Sequence, residues 1–257
     1  MGDAAVLGAS ASIGVAMSAS PAQRSGKDAL WVNEVFGPTV QGEGLSIGVP
    51  AVFVRLAHCP LRCTWCDTPY SWNWSQFDRR VETHQRDCAD VWDEVANLGG
   101  SGVRTLVITG GEPAMQARTL GPLLSAARAA GWSTEMETSG VRGLGPVSEL
   151  LDVVTVSPKL ASSGNLALRR LRPPVLAEFA SNPRVVWKFV VDNVSDLDEV
   201  DELVARYSMR NVFVMPQATT REQVLAGAAA LAAPAEARGY RVSTRLHILL
   251  WGNQRGR

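Results

Sequence analysis

The chain has 257 residues, and its 25 lysines and arginines balance its 25 aspartates and glutamates, so its formal net charge is zero. This balance argues against binding nucleic acid or a membrane surface through charge, because both require an excess of basic residues. Hydrophobic residues make up 46% of the chain and charged residues 19%, which excludes a largely disordered protein and a collagen-like repeat. The length suits one large α/β domain or two small ones.

The first 27 residues are predicted to be a disordered extension, and residues 28–257 a single folded domain without an internal repeat. Residues 4–23 carry no charge but consist largely of alanine, serine and glycine, so no transmembrane helix is predicted. A secretory signal has a basic residue before its apolar core, whereas the first basic residue here is Arg24. A cleaved targeting segment is the alternative to a tail without a role.

Short apolar runs alternate with helical patterns from Trp31 onward. Runs rich in Val, Ile or Phe predict strands at residues 31–36, 51–57, 105–109, 133–137, 153–157, 185–191, 212–215 and 241–246. Helical spacing predicts helices at 88–98, 119–130, 196–207 and 220–237, and proline predicts loops at 172–174 and 181–183. This alternation indicates a parallel sheet with helices outside it. The first two strands flank a glycine-rich turn at residues 42–44, which indicates a hairpin entry to the sheet.

Three of the four cysteines, Cys59, Cys63 and Cys66, lie within eight residues directly after the second predicted strand. The carboxyl end of a strand is where α/β proteins carry their sites. Three soft thiolates in so short a loop suit an iron–sulfur cluster, whereas zinc normally requires a fourth Cys or His at matched spacing. His58 adjoins Cys59 and reaches the same metal with difficulty. Cys88 lies in a helical pattern, where a buried structural thiol is the commoner role.

The spacing C-x3-C-x-aromatic-C, with Trp65 in the aromatic place, resembles the radical S-adenosylmethionine (SAM) enzymes. In these enzymes a four-iron cluster with three protein ligands keeps one iron open. A second motif, Thr109-Gly110-Gly111-Glu112-Pro113, follows a predicted strand and resembles the element that holds the amino group of SAM. Glycines let a backbone approach a ligand closely, and the carboxylate of Glu112 complements an ammonium group. The segment Ser157-Pro158-Lys159 resembles a further cofactor-contacting segment.

Residues around the cysteines indicate which family of radical SAM enzymes the chain resembles. Residues 41–44, Arg55 in the second strand and residues 66–68 resemble the 7-carboxy-7-deazaguanine synthases, and the resemblance runs from about Asn33 through residues 215–217 to residues 247–256. It implies an open α/β fold, a partial (βα)6 barrel with about six strands and a mostly parallel sheet. It also implies a lyase that converts 6-carboxy-5,6,7,8-tetrahydropterin to 7-carboxy-7-deazaguanine with loss of ammonia. The cofactors implied are SAM, a [4Fe–4S] cluster and Mg²⁺, and the product enters queuosine or other 7-deazapurine biosynthesis.

Site residues are carried over by motif match. The cluster ligands implied are Cys59, Cys63 and Cys66, and Thr68 is the ligand implied for Mg²⁺. The implied SAM contacts are Gly111, Glu112, Ser157, Pro158, Lys159, Pro216 and Gln217. The implied substrate contacts are Val40, Gln41, Gly42, Arg55 and Thr109.

Several of these residues have alternative interpretations. An arginine such as Arg55 in an apolar strand pairs well with a substrate carboxylate, but a structural ion pair is the alternative. Thr68 offers an oxygen to a hard cation, yet a threonine here also suits a helix cap. Glu137 is a candidate contact for the SAM ribose or a turn residue. His247 and residues 251–253 either approach the pocket or pack in the core. The basic residues Arg255 and Arg257 are expected to be solvated, and contact with a carboxylate is the alternative.

The expected partners are the small pterin substrate and a flavodoxin or ferredoxin that supplies electrons, in a reducing, cytoplasmic compartment. A homodimer is the expectation of the family, and neither nucleic acid nor a membrane is expected. Two alternatives stay open. A glycyl-radical enzyme activating enzyme shares the cluster and cofactor motifs, and a non-enzymatic metal-binding protein needs only the thiols.

Overall fold

The computed structural model describes residues 29–257, so the predicted N-terminal extension lies outside the described residues. Within this part of the chain, nine strands join in one sheet. The strands are β1 (Ala29–Val40), β2 (Pro50–Leu56), β3 (His84–Asp87), β4 (Thr105–Gly110), β5 (Ser133–Thr138), β6 (Val153–Val156), β7 (Val185–Val191), β8 (Val212–Pro216) and β9 (Arg241–Val242). The helices are α1 (Arg79–Glu82), α2 (Cys88–Gly99), α3 (Gly121–Ala129), α4 (Ala167–Arg170), α5 (Pro173–Ala180), α6 (Asp196–Tyr207), α7 (Arg221–Glu236) and α8 (Leu246–Trp251).

The sheet is open and mostly parallel, as predicted. Its strand order is β3-β1-β2-β4-β5-β6-β7-β8-β9, and every neighbouring pair from β2 to β9 is parallel. β1 runs antiparallel to β2, which confirms the hairpin entry, and also antiparallel to β3. The strands β2 and β4 to β8 alternate with helical segments, which gives the partial (βα)6 barrel. Their carboxyl ends meet at one edge of the sheet, where α/β folds place ligands.

Each parallel strand separates a packed face from a cavity face, because successive side chains of a strand point to opposite sides. In β2, Val52, Val54 and Leu56 pack in the main hydrophobic core together with residues of α2 and α3. Phe53 and Arg55 lie between them in sequence and face a cavity on the other side of the sheet. The same alternation places the polar side chains of Thr109 in β4, Glu137 in β5 and Lys188 in β7 on the cavity side.

The predicted strand at residues 241–246 is wrong beyond its first two residues. Only Arg241–Val242 forms a strand, and Leu246 already begins α8. The chain leaves the sheet to cover the turn between β1 and β2. Ser243 Oγ accepts a hydrogen bond from the backbone of Gly44 at 2.9 Å, and the backbone N–H of Leu246 donates to the carbonyl of Gly42 at 2.8 Å. This tertiary contact outweighs the strand propensity of the segment.

The predicted loop at residues 172–174 is also wrong, since Pro173 and Pro174 begin α5. Proline is tolerated there because the first N–H groups of a helix have no partner inside the helix. The short polar elements α1 and β3 were not predicted because they lack an apolar pattern. The four predicted helices are confirmed, and α6 begins and ends at the predicted residues. Among residues 29–257, no helix is both long enough and apolar enough to span a membrane.

Candidate active site

A cavity opens at the carboxyl ends of the parallel strands and gathers almost all of the predicted site residues. Those that line it are Val40, Gln41, Gly42, Arg55, Cys59, Cys63, Cys66, Thr68, Thr109, Gly111, Ser157, Lys159, Pro216 and Gln217. Glu112 and Pro158 do not line it. Residues between Phe36 and Arg257 therefore line one cavity, although they are far apart in sequence.

The cysteine loop follows β2 and is held against the glycine motif that follows β4. The backbone N–H of Gly111 donates to the carbonyl of Leu56 at 2.8 Å, and that of Glu112 donates to the carbonyl of His58 at 2.7 Å. A Cβ on Gly111 would lie 2.2 Å from the carbonyl oxygen of His58, and one on Gly110 would lie 2.2 Å from that of Leu56. Both glycines are therefore needed so that the two loops can touch.

Glu112 lies behind the cavity wall. Its buried carboxylate accepts hydrogen bonds from Thr138 Oγ1 at 2.6 Å, from the backbone of Ser139 at 2.8 Å and from the backbone of Ala114 at 3.0 Å. The hydroxyl of Ser139 also donates to it. With this many partners, the carboxylate joins the loop after β4 to the end of β5. Its expected contact with an ammonium group stays a prediction.

The segment after β6 packs against the cysteine loop. Lys159 Nζ donates to the Ser157 hydroxyl at 2.9 Å and lies 5.9 Å from the ring centroid of Trp65. Pro158 is buried behind this pair, which places only Ser157 and Lys159 at the cavity. Trp65 of the cysteine motif and Lys159 of the segment after β6 thus form one wall.

Arg55 forms the structural ion pair considered from the sequence and still lines the cavity. Its Nε donates to Glu34 Oε1 at 2.7 Å, and its guanidinium lies 5.2 Å from the ring centroid of Phe36. Within residues 29–257, its two terminal nitrogens make no hydrogen bond, and the residue lines the cavity. The ion pair therefore orients the guanidinium and leaves its outer edge available to an anionic ligand.

Gln41 and Thr109 converge on the carboxylate of Glu137. Thr109 Oγ1 donates to Glu137 Oε2 at 2.8 Å, and Gln41 Nε2 donates to Glu137 Oε1 at 3.3 Å. Gly42 packs directly against His247, since a Cβ on Gly42 would lie 1.9 Å from the imidazole Nδ1. Burial lowers the pKa of His247, which favours the neutral imidazole.

The sequence interpretation missed a buried network of charges on the opposite wall. Lys188 of β7 pairs with Glu43, and its Nζ lies 3.7 Å from Glu137 Oε1. Arg245, which precedes α8, pairs with Glu43 Oε1 at 2.9 Å and also with Asp67 of the cysteine loop. Lys188 is the one charged residue of the apolar run Val185–Val191, the same signal that identified Arg55. Arg245 gives no such signal, because residues 241–246 are largely polar and contain a second arginine, Arg241.

Four members of this network, Glu43, Asp67, Lys188 and Arg245, have pKa values shifted toward their charged forms. Burial alone would raise the pKa of Glu43, but Lys188 and Arg245 outweigh it and hold that pKa well below the ordinary value. Burial would lower the pKa of Lys188, yet the carboxylates of Glu137 and Glu43 raise it. Arg245 likewise keeps the pKa of Asp67 low against burial. The wall therefore presents fixed charges of both signs to the cavity.

Thr68 does not act as a helix cap. It precedes the 3₁₀ turn Pro69–Ser71, but its side chain makes no capping hydrogen bond. Its hydroxyl oxygen lies 3.7 Å from the sulfur of Cys66 and lines the cavity. The hydroxyl therefore lies at the cavity, beside the cysteine loop.

His58 and Cys88 lie outside the cavity. The ring of His58 packs edge-on between Trp31 and Trp74, with centroid distances of 5.9 Å and 5.8 Å. Cys88 is buried at the start of α2, and its sulfur donates to the carbonyl of Thr119 at 3.3 Å. Neither residue joins the three clustered cysteines.

The basic residues near the end of the chain are not simply solvated, contrary to expectation. Arg255 Nε pairs with Glu34 Oε2 at 2.9 Å, and its Nη2 pairs with Glu82 Oε2 at 2.9 Å. The guanidinium also lies 4.0 Å from the ring centroid of Tyr70. Two residues further on, Arg257 reaches the cavity. Arg255 therefore fastens this segment beside Arg55, which shares Glu34.

The thiols fit an iron–sulfur cluster by the chemistry of their donors. Cys59, Cys63 and Cys66 are free and partly exposed on one cavity. Among residues 29–257, no three His, Cys, Asp or Glu side chains are close enough together to hold a single metal ion. Each thiolate of a four-iron cluster binds a different iron, so these sulfurs need not converge on one point. Burial raises the pKa of Cys59 to about 12, and metal binding is what favours thiolates at neutral pH.

Comparison with known proteins assigns the family. A family model described as the radical SAM superfamily matches residues 54–180. The 7-carboxy-7-deazaguanine synthase of Pyrobaculum aerophilum is 41% identical over 246 residues, which cover 94% of this chain and 100% of that protein. The synthase of Rhodopirellula baltica is 34% identical, with 91% of each chain covered. A crystal structure of QueE from Escherichia coli matches with a TM-score of 0.64 at 28% identity, covering 85% of this chain and 95% of that chain. The chain therefore belongs to the 7-carboxy-7-deazaguanine synthase family of radical SAM enzymes, which implies SAM and a [4Fe–4S] cluster as its cofactors.

Proposed function

We propose that this protein converts 6-carboxy-5,6,7,8-tetrahydropterin to 7-carboxy-7-deazaguanine with loss of ammonia. The observation that carries the proposal is the shared cavity, in which Arg55, with two free guanidinium nitrogens, and the three thiols line the same space. A site that must bring a carboxylated substrate to a metal cofactor needs this combination. Its relatives at 41% and 34% identity carry the name of the same activity.

The cofactors occupy the side of the cavity formed by the cysteine loop. Cys59, Cys63 and Cys66 hold the cluster, which together with SAM supplies the one-electron chemistry that removes and returns a substrate hydrogen atom. Chain groups that are available to orient SAM are Gly111, Ser157, Lys159, Pro216 and Gln217, all at strand ends. Glu112 and Pro158 act indirectly, by holding the loops that carry these groups.

The substrate occupies the opposite side. The free edge of Arg55 binds the carboxylate in a bidentate manner. Val40, Gln41, Gly42 and Thr109 form the adjoining wall, with Glu137 fixed by the hydrogen bonds from Gln41 and Thr109. These fixed polar groups can hydrogen-bond to the planar edge of a pterin better than to an extended peptide. This arrangement supports the synthase over an enzyme that activates a glycyl-radical protein.

The hydroxyl of Thr68 is the proposed protein ligand of Mg²⁺. It is a hard oxygen donor on the cavity surface, it makes no capping bond, and Mg²⁺ commonly keeps several waters and one or two protein oxygens. The bound ion would also contact the substrate. The proposed partners are a flavodoxin or ferredoxin as electron donor and a second copy of the chain, and the proposed location is the cytoplasm, where the cluster stays reduced.

The test is anaerobic reconstitution with iron and sulfide, followed by incubation with SAM, Mg²⁺, a reductant and the carboxypterin. Mass spectrometry is expected to detect 7-carboxy-7-deazaguanine and released ammonia. SAM cleavage without a deazaguanine product would reject the substrate and leave the radical SAM assignment intact. A protein that takes up no iron–sulfur cluster would reject the whole proposal and leave the metal-binding alternative.

A further inference from the structure

Each of the three clustered sulfurs receives an N–H hydrogen bond from a different part of the chain. The backbone of Leu61 bonds the sulfur of Cys59. Asn165 Nδ2 donates to Cys63 Sγ at 3.3 Å, and Trp72 Nε1 donates to Cys66 Sγ at 3.2 Å. Two of the three donors are therefore side chains that lie outside the cysteine motif.

Trp72 is held in place through both its backbone and its ring. Its backbone N–H donates to the carbonyl of Pro69 at 3.1 Å, which ties it to the turn after the cysteine loop. The guanidinium of Arg62 covers its ring at 4.5 Å from the centroid. An indole has one donor and no acceptor, and within residues 29–257 this donor bonds only the sulfur of Cys66. The orientation of Trp72 therefore directs its one N–H donor at the sulfur of Cys66.

The Asn165 amide is oriented by its own partners. Its Oδ1 accepts the backbone N–H of Arg62 at 2.8 Å, so Nδ2 must be the atom that faces Cys63. Nδ2 also donates to the hydroxyl of Ser163 at 3.2 Å, and the residue is buried. Because Arg62 lies between Cys59 and Cys63, Asn165 binds the cysteine loop at two points.

A thiol is a weak hydrogen-bond acceptor, whereas a thiolate is a strong one. One-electron reduction of a cluster adds a negative charge that is shared with its thiolates. N–H donors stabilise the reduced form more than the oxidised form, which makes hydrogen bonds to sulfur a determinant of the reduction potential. Such donors matter most where the thiolates are partly buried, as Cys59, Cys63 and Cys66 are.

We propose that Trp72 and Asn165 are positioning residues that raise the reduction potential of the cluster through N–H donation to Cys66 and Cys63. The inference rests on the proposed function only in requiring that the three thiols hold the cluster. It assigns a role to an aromatic residue and an amide that no motif of the sequence singled out. It also gives Arg62 a function, because Arg62 contacts both donors.

The test is a potentiometric titration of the reconstituted protein without SAM or substrate, followed by electron paramagnetic resonance of the reduced cluster. Trp72→Phe removes the N–H and keeps a ring under Arg62. We expect full iron content and a midpoint potential lowered so that the equilibrium constant for reduction falls about threefold to tenfold, tenfold being 59 mV for one electron. Trp74→Phe is the matched control, since Trp74 packs on His58, and its potential is expected to equal that of the wild type.

Asn165→Asp provides a second, independent measurement. The carboxylate keeps an acceptor for the backbone of Arg62 but replaces the donor to Cys63 with a negative charge, so the potential is expected to fall further than in Trp72→Phe. An unchanged potential in Trp72→Phe, an equal fall in Trp74→Phe, or loss of iron from Trp72→Phe alone would overturn the proposal. A wild-type protein without a cluster would refute the proposed function instead.

Discussion

The cavity has two sides that are built in different ways. The cluster side comes from one continuous loop, in which three cysteines follow β2 within eight residues and adjacent loops pack against them. The substrate side is assembled from β1, β2, β5, β7 and the segment before α8, and its members contact one another through charges. The proposed metal ligands are therefore local in sequence, whereas the proposed substrate contacts are brought together only by the tertiary fold.

The largest expected effect is that of removing one of the proposed cluster ligands. Cys63→Ala is expected to remove the iron–sulfur cluster and all SAM cleavage, because two remaining thiolates cannot replace the third ligand. Circular dichroism is expected to show a folded protein, since the substrate side does not depend on the thiol. Iron content and SAM cleavage under anaerobic conditions measure the effect.

Cys88→Ala is the matched control. Cys88 is buried in α2 and bonds Thr119, away from the cavity, so the variant is expected to retain its iron and its activity. The free energy of unfolding should fall by about 1 kcal/mol, the usual range for a small buried truncation. Loss of iron from this variant would show that the three cysteines of the loop do not hold the cluster without Cys88.

The next effect concerns the charge network of the substrate side. Lys188→Met leaves the carboxylates of Glu43 and Glu137 with fewer cationic partners, and removing one member of a buried ion pair costs about 3 kcal/mol or more. We expect a drop of that size in the free energy of unfolding by urea, together with loss of product formation. The double variant Glu43→Gln/Lys188→Met should lose less stability than Lys188→Met alone. Equal losses would mean that the two side chains are not coupled.

Arg55→Ala addresses the substrate side without disturbing the cluster side. A bidentate charged hydrogen bond contributes about 1.5–3 kcal/mol, so the KM for the carboxypterin should rise about tenfold to a hundredfold. Iron content and SAM cleavage without substrate should stay at the wild-type level. Arg55→Lys restores the charge but not the planar fork and should recover only part of the loss. Loss of iron in Arg55→Ala would show that the residue is structural.

Much of the fold was predictable because local patterns and tertiary packing agree there. The hairpin of β1 and β2 and the helix α6 follow directly from the turn glycines and the apolar spacing. The strand predicted after β9 is wrong because the local pattern suits a strand, whereas hydrogen bonds to Gly42 and Gly44 hold the segment away from the sheet. The chain then continues as the helix α8. No sequence pattern contains such contacts between distant residues.

The site divides in the same way. The thiols and the glycine motif were predicted because each is a short motif with its own spacing. Lys188 left a usable signal, a lone charge in an apolar strand, whereas Arg245 left none. The burial of Glu112 behind the cavity could not be predicted, because it depends on Thr138 and Ser139 at the end of a different strand.

The acid sensitivity of the protein should arise from the substrate side. The pKa of Glu43 in the folded protein lies below its ordinary value of 4.5, so its contribution to stability is present above about pH 4.5 and is lost as the pH falls toward the lower, folded value. We expect the free energy of unfolding to decrease as the pH falls below about 4.5, and Glu43→Gln to show a shallower decrease. Asp67 and Glu34 have lowered pKa values too and leave a residual slope. Identical slopes in both proteins would exclude Glu43 as a source of the acid sensitivity.

The smallest effect concerns the junction between the substrate side and the end of the described chain. Arg255 joins Glu34, Glu82 and Tyr70, but its side chain is 44% exposed, so solvent weakens its ion pairs. Arg255→Ala should therefore lower the free energy of unfolding by only about 1 kcal/mol. Glu34 keeps Arg55 as a partner, so the KM for the carboxypterin should rise only about twofold to threefold, well below the effect of Arg55→Ala. Arg241→Ala, which removes a single contact with Phe213, is the control and should change neither quantity. A KM effect of Arg255→Ala as large as that of Arg55→Ala would mean that Glu34 orients Arg55 only while Arg255 holds its other oxygen.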